Sequence, residues 1–494
     1  MVVSSEEINI LVYRYLQESG FVHSAFTFAY ESLVAKSAVD PRDVPTGALI
    51  TYIQKGLAYS TIEDHLDDDG TERMCDEDYS LLTKHPAAPP QQQQHHDDMD
   101  VQMDGGGSSG SGGGGGAHQQ HQQPPPPPPP PPAAAAAARL DTDVAPEDVA
   151  LLTSHSSEVF MCAWNPAHDL LASGSGDSTA RIWRMPPVGS GARGAEGSVV
   201  LKHSAEVGDK NKDVTTLEWN REGALLATGS YDGVARIWSK EGSLLHMLEA
   251  HEGPIFSLKW NNAGNYVLSG SSDKSAIVWD VAAGRVQQRF EFHEAPTLDV
   301  DWKDNVTFAT CSTDKAINIL AVGEAFPKQT FTGHTDEVNA IKWDPTGRLL
   351  ASCSDDYTAK IWKPNSAKCV HDLREHTKEI YTIKWSPVAG KRMLLASASF
   401  DATVKLWDVE AGSVVSTLTR HEDPVYSVAF SPSGEYLASG SFAGHLYVWR
   451  VADGALVKSY QGEGDIFEVA WNHREDRVAA CFSTSTVAVV DLRL

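Results

Sequence analysis

Residues 251–280 read HEGPIFSLKWNNAGNYVLSGSSDKSAIVWD, and the fold turns on how this stretch is read. Its first six letters offer a catalytic His-Glu pair, half of a metal site, or a piece of architecture. Repetition decides between them. HEAPTL follows at 293, HTDEVN at 334, HTKEIY at 376 and HEDPVY at 421. A catalytic histidine does not come in five copies. Within the stretch, His251, Asp273 and Trp279 stand at offsets of 22 and 6. The same offsets hold for His155, Asp177 and Trp183, and for His334, Asp356 and Trp362. His376, Asp401 and Trp407 carry three extra residues before the aspartate, and His293/Asp314 is one residue short.

Working outward, Trp183, Trp238, Trp279, Trp362, Trp407 and Trp449 end similar strand-like runs, with Leu320 and Val490 filling two gaps. The intervals are 55, 41, 41, 42, 45, 42 and 41 residues. A period of about 40–45 residues with four short strands per unit is the WD-repeat signature. Eight units predict an all-β eight-bladed propeller over residues 145–494. The long first interval makes RMPPVGSGARGAEG (184–197) a surface excursion. Ring closure pairs a strand near Val149–Leu152 with the last three strands, so that no sheet edge is left open at the seam.

The repeated His, Asp and Trp resemble the structural tetrad of WD repeats, with Ser269 as the bridging hydroxyl in the third unit. The indole N–H would otherwise be a buried donor without a partner. Three units depart from the pattern. Lys210 occupies the expected histidine place ahead of Asp232 and Trp238, Ala443 replaces the seventh aspartate, and the eighth unit retains none of the three.

With scaffold residues set aside, two aligned columns remain. Three residues after the histidine position stand Glu158, Asp213, Pro254, Pro296, Glu337, Glu379, Pro424 and Asp465. Five after it stand Phe160, Thr215, Phe256, Leu298, Asn339, Tyr381, Tyr426 and Phe467. On the adjoining loop, just before the aspartate position, lie Tyr231, Asp355, Phe400 and Phe442 among smaller residues. Propeller geometry puts both columns around the mouth of the central channel. Aromatics beside carboxylates suit a basic peptide, through cation–π contact and charge. The competing reading packs the aromatics between blades and leaves the acids solvated.

Ahead of the propeller the chain changes character twice. Over residues 4–36, Ile8, Leu11, Val12, Tyr15 and Leu16 follow one helix face, Gly20 stops it, and a second stripe includes Phe28. Leu11, Tyr15, Leu16, Phe21 and Phe28 resemble a LisH motif, a dimerisation module. A further amphipathic stripe in residues 40–85 resembles an F-box-like segment. Residues 86–144 hold a Gln run, a Gly/Ser run, nine prolines and six alanines. Such a composition cannot offset its ordering entropy and is expected to be a disordered linker. His95, His96, His118 and His121 fall within it as spacer rather than as a metal site.

The net charge is −26, and 16 of those excess negative charges precede residue 149. No basic footprint marks a sequence-specific nucleic-acid binder, whereas basic proteins are well matched. Six cysteines without a CxxC pair read as reduced. No apolar run is long enough for a membrane span. No cofactor or metal site is expected, and the absence of a single privileged nucleophile–base set argues against an enzyme.

LisH, F-box-like segment, low-complexity spacer and eight WD units, in that order, are similar to the transducin-β-like co-repressor subunits, including plant members. That resemblance implies a nuclear, non-enzymatic scaffold in histone-deacetylase co-repressor complexes. It also implies contact with co-repressor subunits and histone tails, self-association through LisH, and recruitment of ubiquitin-ligase machinery. The alternative is a ubiquitin-ligase substrate receptor docking a cullin-type adaptor. The W-D-x-R box used for such docking is degenerate here, with only VDLR, ending at Arg493, close to it.

Overall fold

The computed structural model describes residues 5–18, 44–45, 48–55, 142–187, 195, 197–203, 212–366, 368–387 and 392–492. The chain divides into two units, Met1–Pro132 and Ala133–Leu494. In the first, helix α1 spans Ser5–Glu18 and residues 48–55 are helical. Leu11, Val12, Tyr15 and Leu16 are half-buried, but Ile8 is exposed and Ile10, off the expected stripe, is buried. The helix therefore buries more than the one predicted face. Phe21, Phe28, the low-complexity stretch to residue 141, its histidines and Arg493 lie outside the described residues.

The second unit is an eight-bladed propeller of four-stranded antiparallel sheets. Blades 1 to 7 take their strands consecutively from the chain. Their innermost strands are β2 (Val159–Trp164), β6 (Val214–Trp219), β10 (Ile255–Trp260), β14 (Thr297–Trp302), β18 (Val338–Trp343), β22 (Ile380–Trp385) and β26 (Val425–Phe430). Blade 8 begins with β30 (Ile466–Trp471) and is completed by β1 (Val149–Leu152), which pairs with β32 (Val487–Asp491). The closing register runs from Val149 opposite Val490 to Leu152 opposite Val487. The innermost strands neighbour one another in a closed ring around the channel.

Tetrads hold the blades internally. In blade 3, His251 Nδ1 donates to Asp273 at 2.8 Å, Ser269 Oγ bonds His251 Nε2 at 2.7 Å, and Trp279 Nε1 donates to Ser269 Oγ at 2.8 Å. Blades 1, 5 and 6 repeat this through Ser173, Ser352 and Ser397. Blade 4 substitutes Thr310 for the serine and the buried Leu320 for the tryptophan. The aspartate is needed for the backbone as well. The residue after it adopts the left-handed region in blade after blade, at Ser178, Lys274, Lys315, Tyr357 and Ala402. Such a conformation costs about 1–2 kcal/mol for a residue with a side chain. The Asp273 carboxylate offsets it by accepting the Ser275 N–H at 3.0 Å, closing an Asx turn. Burial opposes ionisation of Asp177, but hydrogen bonds from His155 and Thr179 outweigh it and hold the carboxyl down to about 2.

Blade 2 holds a histidine that its spacing conceals. His203, 29 residues before Asp232 rather than 22, bonds Thr228 Oγ1 at 3.0 Å, and Trp238 Nε1 donates to the same hydroxyl at 2.9 Å. Arg236 stands between histidine and aspartate, donating to Asp232 at 2.8 Å and to the His203 carbonyl at 3.0 Å. Burial, reinforced by the neighbouring guanidinium, lowers the His203 imidazole to about 3, so it is neutral. In blade 7, His421 turns to Ser441 at 2.9 Å in place of the missing aspartate.

A second set of tryptophans ends seven of the eight inner strands: Trp164, Trp219, Trp260, Trp302, Trp343, Trp385 and Trp471. Six of these indoles donate to a carbonyl of the preceding blade, as Trp260 does to Glu218 at 3.0 Å and Trp471 to Ala429 at 3.0 Å. One set of tryptophans therefore locks six of the blades internally, and the other joins blade to blade.

Candidate functional site

The inner strands place the mouth residues through a shared irregularity. Every one of the eight carries a register shift between its first and third residues. The extra residue is Phe160, Thr215, Phe256, Leu298, Asn339, Tyr381, Tyr426 or Phe467, the second column of the sequence. A β-bulge releases one residue from the ladder and re-aims its side chain. The first column and the residue before the aspartate position are joined by backbone bonds in all eight blades. Examples are Phe400 N to the Glu379 carbonyl at 3.0 Å, Asp355 N to Glu337 at 3.1 Å and Tyr231 N to Asp213 at 2.8 Å. The two predicted loops therefore form one surface around the ring.

The aromatics gather on one arc of that ring. Tyr381 and Tyr426 stack with centroids 3.8 Å apart and share a hydroxyl–hydroxyl hydrogen bond. Phe400 lies 6.1 Å from Tyr381, Phe442 lies 5.6 Å from Tyr426, and Phe467 lies 6.0 Å from Tyr426 and 5.8 Å from Phe160. Six rings thus run across blades 6, 7, 8 and 1. They pack between blades, as the competing reading expected, yet all but Phe467 remain half-exposed. Burial pushes the Tyr381 phenol up to about 12, and Tyr426 also rises well above the usual range. Phe256 and Tyr231 stand on blades 3 and 2.

The acids divide by role. Asp465 accepts the Ala443 N–H at 3.1 Å and so supports the blade 7 turn that lacks its aspartate. Glu158 accepts from the Ser157 hydroxyl. Glu337, Asp355 and Glu379 form a corner across blades 5 and 6, where Asn339 donates to Asp355 at 2.6 Å and to the Ile380 carbonyl at 3.0 Å. Burial first, then repulsion from Glu379, Asp336 and Asp356, raises the Asp355 carboxyl. A carboxylate crowded by like charge gains from an arriving cation. The corner borders Tyr381 and Phe400, so a cation there has rings beside it.

Charges that the sequence reading passed over line the channel below. Lys259 pairs with Glu218 at 2.9 Å, and Lys342 pairs with Asp299. Burial lowers the Lys384 ammonium and raises the Glu468 carboxyl. For Glu218, Lys259 and Lys342 the signal was an alternation of acid and lysine, with Asp301, at the fifth position of the inner strands in blades 2 to 5. Among the described residues, no three His, Cys, Asp or Glu side chains cluster as metal ligands.

Comparison with known proteins matches the WD domain, G-beta repeat family at residues 147–184, 202–239, 242–280, 326–363, 367–408 and 412–450, and LisH at 6–32. The human F-box-like/WD repeat-containing protein TBL1X is 47% identical, over all of this chain and 91% of that protein. The WD40 repeat-containing protein HOS15 of Arabidopsis thaliana is 40% identical over the whole of both chains. The crystal structure of the C-terminal WD40 domain of Sif2 superposes with a TM-score of 0.62 at 26% identity, covering 70% of this chain and 99% of that one.

Proposed function

Because this chain belongs to the transducin-β-like family of F-box-like/WD repeat-containing proteins, we propose that it is a non-enzymatic scaffold of a nuclear histone-deacetylase co-repressor complex. Its propeller mouth binds histone tails or other basic peptides, and its LisH segment joins copies of the chain. The observation that carries the reading is the pairing of the Glu337–Asp355–Glu379 corner with the adjoining aromatic arc. A lysine or arginine seated there relieves carboxylate repulsion while its methylenes lie against rings. No sequence-specific nucleic-acid contact and no membrane contact is part of this role.

The test is titration of a lysine-rich histone-tail peptide into the wild-type chain and into Glu337→Gln/Asp355→Asn/Glu379→Gln. Removing three carboxylates is expected to weaken binding at least about tenfold at low salt and to flatten the salt dependence. Unchanged affinity in a folded variant sinks the reading. The words F-box-like in its relatives' names also favour a part in ubiquitin-ligase recruitment. Co-purification of a cullin-type adaptor, lost on Arg493→Ala, is the corresponding check.

A further inference from the structure

The seam between blades 7 and 8 contains a cavity of about 550 Å³, away from the channel mouth. That volume falls within the ordinary range of ligand pockets, about 300–1,000 Å³. We propose that it binds a monoanionic carboxylate attached to a flat or aliphatic apolar body. One wall is apolar and comes from β1, through Val149 and Leu151. The opposite wall, from blade 7, offers His445, Tyr447 and Tyr460, with Arg420 at its edge.

The cavity borders a position at which blade 7 differs from four other blades. Two residues before the tetrad tryptophan, blades 1, 2, 5 and 6 place Arg181, Arg236, Lys360 and Lys405. Each is tied down inside its own blade, at 3.1 Å to Ser198, 2.8 Å to Asp232, 2.7 Å to Asp372 and 3.2 Å to Thr417. Tyr447 takes that position in blade 7, and Ala443 removes the aspartate. Ser459, directly across the sheet from Tyr447, turns its hydroxyl outward to Asp143 at 2.6 Å. Tyr447 is 7% exposed as a residue, and its hydroxyl, unbonded to any described residue, keeps contact with solvent at the cavity. The Tyr460 hydroxyl and the exposed Arg420 guanidinium likewise have no hydrogen-bond partner among the described residues.

Two phenol O–H groups and a guanidinium are donors, and a group that only accepts hydrogen bonds satisfies them. Charge selects among such groups. Arg420 is the single permanent cation among the described residues of the lining, Asp143 is an acid of the same lining, and the chain carries a net charge of −26. A dianion meets too little positive charge here, whereas a carboxylate is matched by one guanidinium.

Ligand-observed NMR on the full chain, with benzoate as probe and benzamide and phenyl phosphate as comparisons, tests the assignment. Benzoate is expected to bind at least about tenfold more tightly than either comparison, and Arg420→Gln is expected to remove that preference. Arg420 is exposed, so this variant leaves the fold intact, and Tyr447→Phe adds a second, isosteric check expected to weaken benzoate about threefold. An N-acetylated pentapeptide ending in phenylalanine, with a free or an amidated C-terminus, separates the two sources. Competition by the acid alone identifies a peptide terminus, and competition by neither identifies a free small acid. Equal binding of benzoate and benzamide, tighter binding of phenyl phosphate, or an unchanged Arg420→Gln overturns the proposal. The triple substitution at the channel mouth leaves benzoate binding intact, so failure of the two sites is distinguishable.

Discussion

Ser269 shows how much a two-atom side chain can carry. Its hydroxyl donates to His251 Nε2 and accepts from Trp279 Nε1, at 2.7 and 2.8 Å. Both partners are buried, and neither has water to turn to. Ser269→Ala deletes one oxygen and leaves two polar atoms unsatisfied, which costs about 1–3 kcal/mol. Urea denaturation is expected to show a lower midpoint with an unchanged slope, and an unchanged midpoint would mean that the tetrad contributes no net stability. The same chemistry explains why one tetrad escaped the sequence. A fixed offset of 22 residues locates the histidine only when the connecting loop has constant length. Blade 2 lengthens that loop, so His203 sits where spacing does not look for it, while the Trp238, Thr228 and His203 bonding is preserved.

Strand irregularity, more than strand content, builds the mouth. The sequence made the repeat, the eight units and the closing strand legible, because offsets between His, Asp and Trp are set by strand length and survive substitution. It also aligned the column containing Phe160, Tyr381 and Phe467. It did not reveal why that column faces the mouth, since a bulge leaves no residue-type signature when its extra residue varies from Phe to Thr, Leu and Asn. Nor did it separate the acids, because Asp465 bonds Ala443 only through a turn that three-dimensional proximity creates. Closure gives the test at this level. β1 covers the edge of β32 over four residue pairs, from Val149–Val490 to Leu152–Val487. A chain starting at residue 142 keeps that strand, and one starting at 153 loses it and exposes an unpaired edge. The first is expected to melt cooperatively like the full chain. The second is expected to lose several degrees of Tm and to aggregate, as read by thermal unfolding with light scattering. Equal melting of both would show that β1 is dispensable.

If the chain self-associates as proposed, its action depends on number as well as contact. The LisH match at residues 6–32 is on the same chain as the peptide-binding mouth, so the proposed self-association would bring two proposed mouths into one particle. Two mouths on one particle convert the second binding event on a multi-tailed target into an intramolecular one, which can raise overall affinity by about 10²–10⁴-fold without any new contact. Leu16→Asp puts a charge into the apolar face of α1 and is distant in sequence from every propeller residue. Light scattering is expected to report a smaller particle, and the thermal unfolding of the propeller is expected to stay as it was. Affinity for a single soluble tail peptide should be unchanged, while retention on a surface carrying many tails should fall by at least about tenfold. A variant that keeps its mass shows that α1 does not join the copies. A variant that dissociates yet holds the dense surface as tightly as before shows that one mouth suffices, and that the paired architecture serves something other than avidity.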